Sequence, residues 1–125
     1  MTLQKAVEIF DTERSNSVDI AKKTRWISQL DYKISSEITV PRGDETFRGY
    51  DVSTPLTTVL KAPDEFGEIY SLYLNMKLDY MNGEIARFNN SALLFNNMYR
   101  DLNNYMNRKQ AVLKQTEIKA GDIYV

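Results

Sequence analysis

The sequence predicts an all-α bundle of about four helices, with the last two folded into a tight antiparallel hairpin. Three observations point there. Apolar residues recur at helical spacing in four separate stretches. Capping residues and an Asn-Gly pair stand in the gaps between them. Pro41, Gly43, Gly49, Pro55 and Pro63 gather in one central segment, where no helical period survives.

Taken in order, Leu3, Ala6, Val7 and Phe10 predict a short amphipathic helix over residues 2–14. Ser15-Asn16-Ser17 breaks it and supplies side-chain acceptors for the free N–H groups of the next helix, expected over about 18–39. Its buried stripe is Ile20, Ile27, Leu30, Ile34 and Ile38, with Trp26 alongside as a core anchor. Residues 40–62 read as a long central loop, a kind of connection often functional or mobile. Pro63-Asp64-Glu65 opens a third helix, with acids well placed at its N-terminus. That helix is apolar over most of its circumference and should be central. Asn82-Gly83 ends it, and Glu84 begins the fourth almost at once, which makes the hairpin.

On the fourth helix Ile85, Ala92, Tyr99 and Met106 fall at heptad a positions, while Phe88, Phe95 and Leu102 fall at d. Asparagine pairs recur every heptad beside this seam: Asn89-Asn90, Asn96-Asn97 and Asn103-Asn104. As poor helix formers, these positions together cost roughly 3–4 kcal/mol against alanine. They read first as a polar border to the core stripe. Their cost, and the amide's ability to donate and accept without charge, also point to a helix face that hydrogen-bonds to a loop or a partner chain. After Lys109 the pattern fades, and Gly121-Asp122-Ile123-Tyr124-Val125 has a strand-like ending. The expected organisation is a helical domain over 1–109 and an extended C-terminal tail over 110–125.

Bulk properties narrow the function. The 125 residues, 42% of them hydrophobic, suit one domain with one core. A net charge of −1 argues against a protein whose main task is to grip nucleic-acid backbone. There is no cysteine for disulfides or thiolate zinc sites, and no histidine to act as a general base or metal ligand. The amphipathic start does not read as a signal peptide, no apolar run approaches membrane length, and a cytoplasmic protein or part of an assembly made there is expected. Asp31 and Glu37, like Asp79 and Glu84, read as solvated helix-face charges rather than acid/base or metal pairs. Arg42-Gly43-Asp44 reads as a turn, not as an adhesion tripeptide. No catalytic, cofactor or metal residue is expected, and no enzyme activity.

Two stretches, RWISQLD at residues 25–31 and EIYSLYLNMKLDYMNGEIARFNNS at residues 68–91, resemble small proteins from the structural gene blocks of tailed phages and prophages of Gram-positive bacteria. The wider group is the head–tail connector adaptors, or head-completion proteins. The resemblance spans about residues 18–108. It rests on the Trp-bearing helix, the Tyr-rich central helix, the Asn-Gly-Glu turn and the Arg-Phe-Asn-Asn next to it. It implies a helical structural protein of the virion neck that binds below the portal protein and forms a homo-oligomeric ring. Such a ring extends the DNA channel without specific DNA binding, needs no membrane, and presents a surface to a neck or tail-completion protein. In that family loops and terminal segments make the contacts. The expected contact residues are therefore Arg42, Arg48 and Tyr50 in the loop, Asn89, Asn96 and Asn103 on the last helix, and Lys114, Lys119, Ile123 and Tyr124 in the tail. The alternative is a small helical protein-binding or dimeric regulatory module unrelated to virions.

Overall fold

The computed structural model describes the backbone of residues 1–123 and the side chains of residues 1–113. It is an all-α bundle of four main helices: α1 (Leu3–Glu13), α2 (Ile20–Ile34), α3 (Glu68–Met81) and α4 (Ile85–Ile123). Among the described residues the only β-type pairing is one antiparallel bridge between Thr2 and Val59.

Local chemistry sets the helix ends. The Thr2 hydroxyl accepts the Lys5 amide at 3.2 Å and caps α1, which buries Leu3, Ala6, Val7 and Phe10. Asp19, rather than the Ser15–Ser17 run, caps α2 by accepting the Lys22 amide at 2.8 Å. Asn16 instead folds the connection, its side chain accepting the Val18 amide and donating to the Arg14 carbonyl. Beyond Ile34 the helix continues as a π-helical turn, Ser35–Thr39, then a 3-10 turn, Val40–Arg42. The change comes just ahead of Pro41, which has no N–H to continue an α-helical ladder. Gly43, at φ 97°, stops it.

α3 is the centre of the bundle, packing against α1, α2 and α4. Its buried residues (Ile69, Tyr70, Ser71, Tyr73, Leu74, Leu78 and Asp79) cover more than one face, as its all-round apolar character predicts. A 3-10 turn, Asp64–Phe66, precedes it. The α3–α4 turn is Asn82-Gly83, with Gly83 alone in the left-handed region at φ 71°. Ring pairs Tyr80–Phe88, Tyr73–Phe95 and Phe66–Tyr105 then run in opposite directions along the two helices, at centroid distances of 5.7, 5.2 and 5.2 Å. Of the predicted seam, Phe95 and Leu102 are buried and Tyr99 and Met106 pack against the core, joined there by Met98, whereas Ile85 is exposed.

In place of the expected extended tail, α4 runs on through Ile123, 39 residues in all. The reason lies in QAVLKQTEIKA, which is mostly good helix formers with no breaker before Gly121. The domain boundary drawn at residue 109 thus falls inside a continuous helix.

Residues 43–62 lie over the bundle as a strap without helix or strand. Its far half pairs with the N-terminus: Leu3 N donates to Thr58 O at 2.9 Å, Gln4 N to Leu56 O at 3.0 Å, and Leu60 N to Met1 O at 2.9 Å. Its near half seats Phe47 edge-on between Tyr32 of α2 and Tyr50, both centroids 4.8 Å away. Gly49 crosses Tyr32 so closely that a Cβ would stand 2.8 Å from the phenol oxygen, at a φ of 93° that disfavours other residues anyway.

Candidate functional site

Beside the reversal at Asn82-Gly83, several apolar side chains of the last turn of α3 and the first of α4 face solvent. Tyr80 and Ile85 are 73% and 74% exposed, and Met81 is exposed too. Tyr80, Ile85, Gly83 and Phe88 line an apolar cleft of about 360 Å³, bordered by Asp79, Glu84 and Asn89. Further along α4, Leu93 and Leu94 face solvent. Near the limit of the described side chains, Tyr105, Arg108, Lys109, Val112 and Leu113 line a groove of about 370 Å³. Single exposed apolar residues are ordinary, but this series runs along one helix for most of its described length.

Two buried carboxylates tie the elements behind this surface together. Asp79 of α3 is 1% exposed. It lies 2.6 Å from the Arg14 guanidinium and accepts the Ser91 hydroxyl at 2.7 Å, so the end of α1 is joined to both helices of the hairpin. Arg14 also reaches Glu84 at 3.5 Å and Asn75 at 3.1 Å. A polar crevice of about 540 Å³ opens beside this knot, lined in addition by Ala86, Arg87 and Asn90. Burial pushes the Asp79 carboxyl up, but Arg14, the Ser91 hydroxyl and the Arg87 charge outweigh it and hold it below the usual aspartate range.

Asp31 of α2 is wholly buried. Its Oδ2 accepts the Tyr50 hydroxyl at 2.7 Å and the Lys61 amide at 3.1 Å, and its Oδ1 accepts the Tyr70 hydroxyl at 2.7 Å. The Tyr70 oxygen in turn accepts the Ala62 amide at 2.9 Å. Here burial prevails over the hydrogen bonds, and the carboxyl is held above its ordinary value. Burial and the neighbouring Asp31 charge push both phenols upward as well.

The reading of Asp31 and Asp79 as solvated charges is therefore corrected. Asp31 stands four residues after Ile27 and three before Ile34, inside the buried stripe, and that position was the signal available. Glu37 and Glu84 do reach solvent, with side chains 49% and 41% exposed. Glu37 accepts the Tyr99 hydroxyl, which is the main reason its carboxyl sits below the usual range, with the Lys33 ion pair adding to the effect.

The residues expected to make contacts do not form one patch. Arg42 donates to the Ile38 carbonyl and to the Asn107 side chain, pinning the start of the strap to α4. Tyr50 is half-buried and spent on Asp31. Arg48, by contrast, is exposed. Asn89 and Asn96 are exposed and Asn103 is half-buried; none of the three hydrogen-bonds through its side chain to another described residue, so they do not hold a loop of their own chain. Lys114, Lys119 and Ile123 continue the backbone of α4, and Tyr124 lies outside the described residues.

Among the described residues, no group of three His, Cys, Asp or Glu side chains is placed to hold a metal ion. No helix there is long and apolar enough to cross a membrane. Both buried carboxylates are committed to internal bonds. No family model matches the chain, and the searches of curated proteins and of solved structures returned no match.

Proposed function

We propose that the chain is a structural adaptor of a tailed-phage or prophage head–tail connector. In this reading it is made in the host cytoplasm and takes its place at the virion neck. There, copies form a ring that binds the portal protein on one side and a neck or tail-completion protein on the other. DNA passes through the ring without specific binding, in keeping with a net charge of −1. The observation that carries the reading is the set of exposed apolar residues Tyr80, Ile85, Leu93, Leu94 and Leu113, spread along and around the hairpin end and α4. The residues that carry the resemblance support it too. They fall in α2, in α3, in the hairpin turn and in the first turns of α4, which pack as one unit.

The test is to tag the protein in its native host, induce the prophage, and identify by mass spectrometry what co-purifies. Portal protein together with neck or tail components is the expected result. Recovery of only the protein itself, or of a cellular regulator, from a lysate containing phage particles would overturn the reading. That result would favour the helical regulatory module.

A further inference from the structure

The strap over residues 43–62 is thinly anchored. Leu60 and Ala62 are buried, but Val52, Leu56 and Val59 face solvent at 84%, 45% and 71% exposure. Among the described residues, no ladder beyond the Thr2–Val59 bridge supports it. Besides its bonds to residues 1–4, the Phe47–Tyr32 contact and the Tyr50 amide on the Ser28 hydroxyl, its anchors meet at one atom group: Tyr50 and Lys61, from well-separated points of the strap, bind the same Asp31 oxygen, while Ala62 reaches Asp31 through the Tyr70 hydroxyl. All the donors on that carboxylate are neutral, two phenols and an amide. The nearest strap cation, Lys61, is turned toward Asp44 at 3.4 Å. Burying an ionised carboxylate among neutral donors is costly, and water reaching it on release offsets part of what the lost bonds gave.

We propose that residues 43–62 open from the helical bundle as a single unit, with the Asp31 cluster as the latch and with the first turn of α1 coupled to the opening. The coupling rests on the bonds: a strap that lifts away at residues 56–60 frees the amides of Leu3 and Gln4, whose acceptors are Thr58 and Leu56. α3 stays folded, because its packing against α4 does not involve the strap. Opening admits water to the α2–α3 seam at Asp31 and leaves Tyr32 without its Phe47 partner. This holds whatever partner the protein serves.

The test is native-state amide hydrogen exchange on the full chain across low, non-denaturing urea concentrations. The amides of Tyr50, Leu60, Lys61 and Ala62 are expected to share one protection level with Leu3 and Gln4, well below that of Leu74 in α3. In the Tyr50→Phe variant, which keeps the ring and removes one bond to Asp31, protection of that whole group should fall roughly tenfold or more, the worth of a hydrogen bond to a charged group, with Leu74 little changed. Exchange of the strap amides only in step with Leu74 in the unmodified protein would overturn the proposal. So would a Tyr50→Phe effect confined to Tyr50 itself, or one spread equally over α3.

Discussion

Asp31 and Asp79 each expose almost no surface, yet one lies deep under the strap and the other borders an open crevice, and their carboxyls are shifted in opposite directions. Each makes short bonds to side chains from other elements. Two things differ: Asp31 is far more deeply desolvated, and the groups bonded to it are uncharged. Asp79 meets a guanidinium, and the ion pair outweighs desolvation; Asp31 meets two phenols and an amide, and it does not. Low exposure alone therefore says little about whether a carboxylate stabilises its surroundings; depth and partner charge decide it together. At the hairpin the pair works as a permanent knot between α1, α3 and α4. Under the strap, the same residue type makes a joint that gives back solvation when it opens.

The comparison breaks most sharply at Arg14. Arg14→Ala leaves the buried Asp79 with only the Ser91 hydroxyl and the Arg87 charge to offset it, and should lower unfolding stability by about 3–5 kcal/mol in urea titration. Asp31→Leu should do less, on the order of 2 kcal/mol in the same titration. It strands the Tyr50 and Tyr70 hydroxyls and the Lys61 amide, but it also removes a carboxylate that was itself unfavourable to bury. A loss as large as that of Arg14→Ala would mean that Asp31 is as well compensated as Asp79.

The pH dependence separates the two residues with a smaller effect. Asp79 titrates below the unfolded aspartate value of about 3.9, so its contribution is complete above that value and is lost as pH falls through its lowered folded value. Asp31 titrates above it, so its penalty is absent at low pH, where both states are protonated, and builds as pH rises from the unfolded value to the raised folded one. Unfolding stability of the unmodified protein relative to Asp31→Asn should accordingly improve as pH is lowered from 7 toward about 4. The urea midpoints of the two proteins, measured over that range, check it. Parallel midpoints would place the Asp31 carboxyl at an ordinary aspartate value.

Much of the helical frame is legible in the sequence because its signals are local. Leu3, Ala6, Val7 and Phe10 mark the buried face of α1, and Asn82-Gly83 marks the turn that makes the hairpin. The latch is not legible as chemistry, although Asp31 sits in register with Ile27 and Ile34. An aspartate in an apolar stripe is read as a charge until the donors that meet it are known, and those come from residues 19 to 39 positions away. The strap's pairing with residues 1–4 is likewise non-local and leaves no period. At the other end, the β-like composition of Ile123-Tyr124-Val125 draws the eye away from the helix formers before it and hides the length of α4. Of the residues expected to make contacts, Asn89 and Asn96 face outward, while Arg42 and Tyr50 bond within the chain.

The length of α4 has a mechanical meaning. Arg42 ties the body of the bundle to α4 at Asn107. Beyond that point the helix runs for roughly 24 Å at 1.5 Å per residue, through residues 108–123. An arm of that reach is a lever. A tilt of about 10° at Asn107, within the curvature that long helices show, swings its far end by roughly 4 Å. Small adjustments where α4 packs on α3 are thus magnified at the backbone of Ile123.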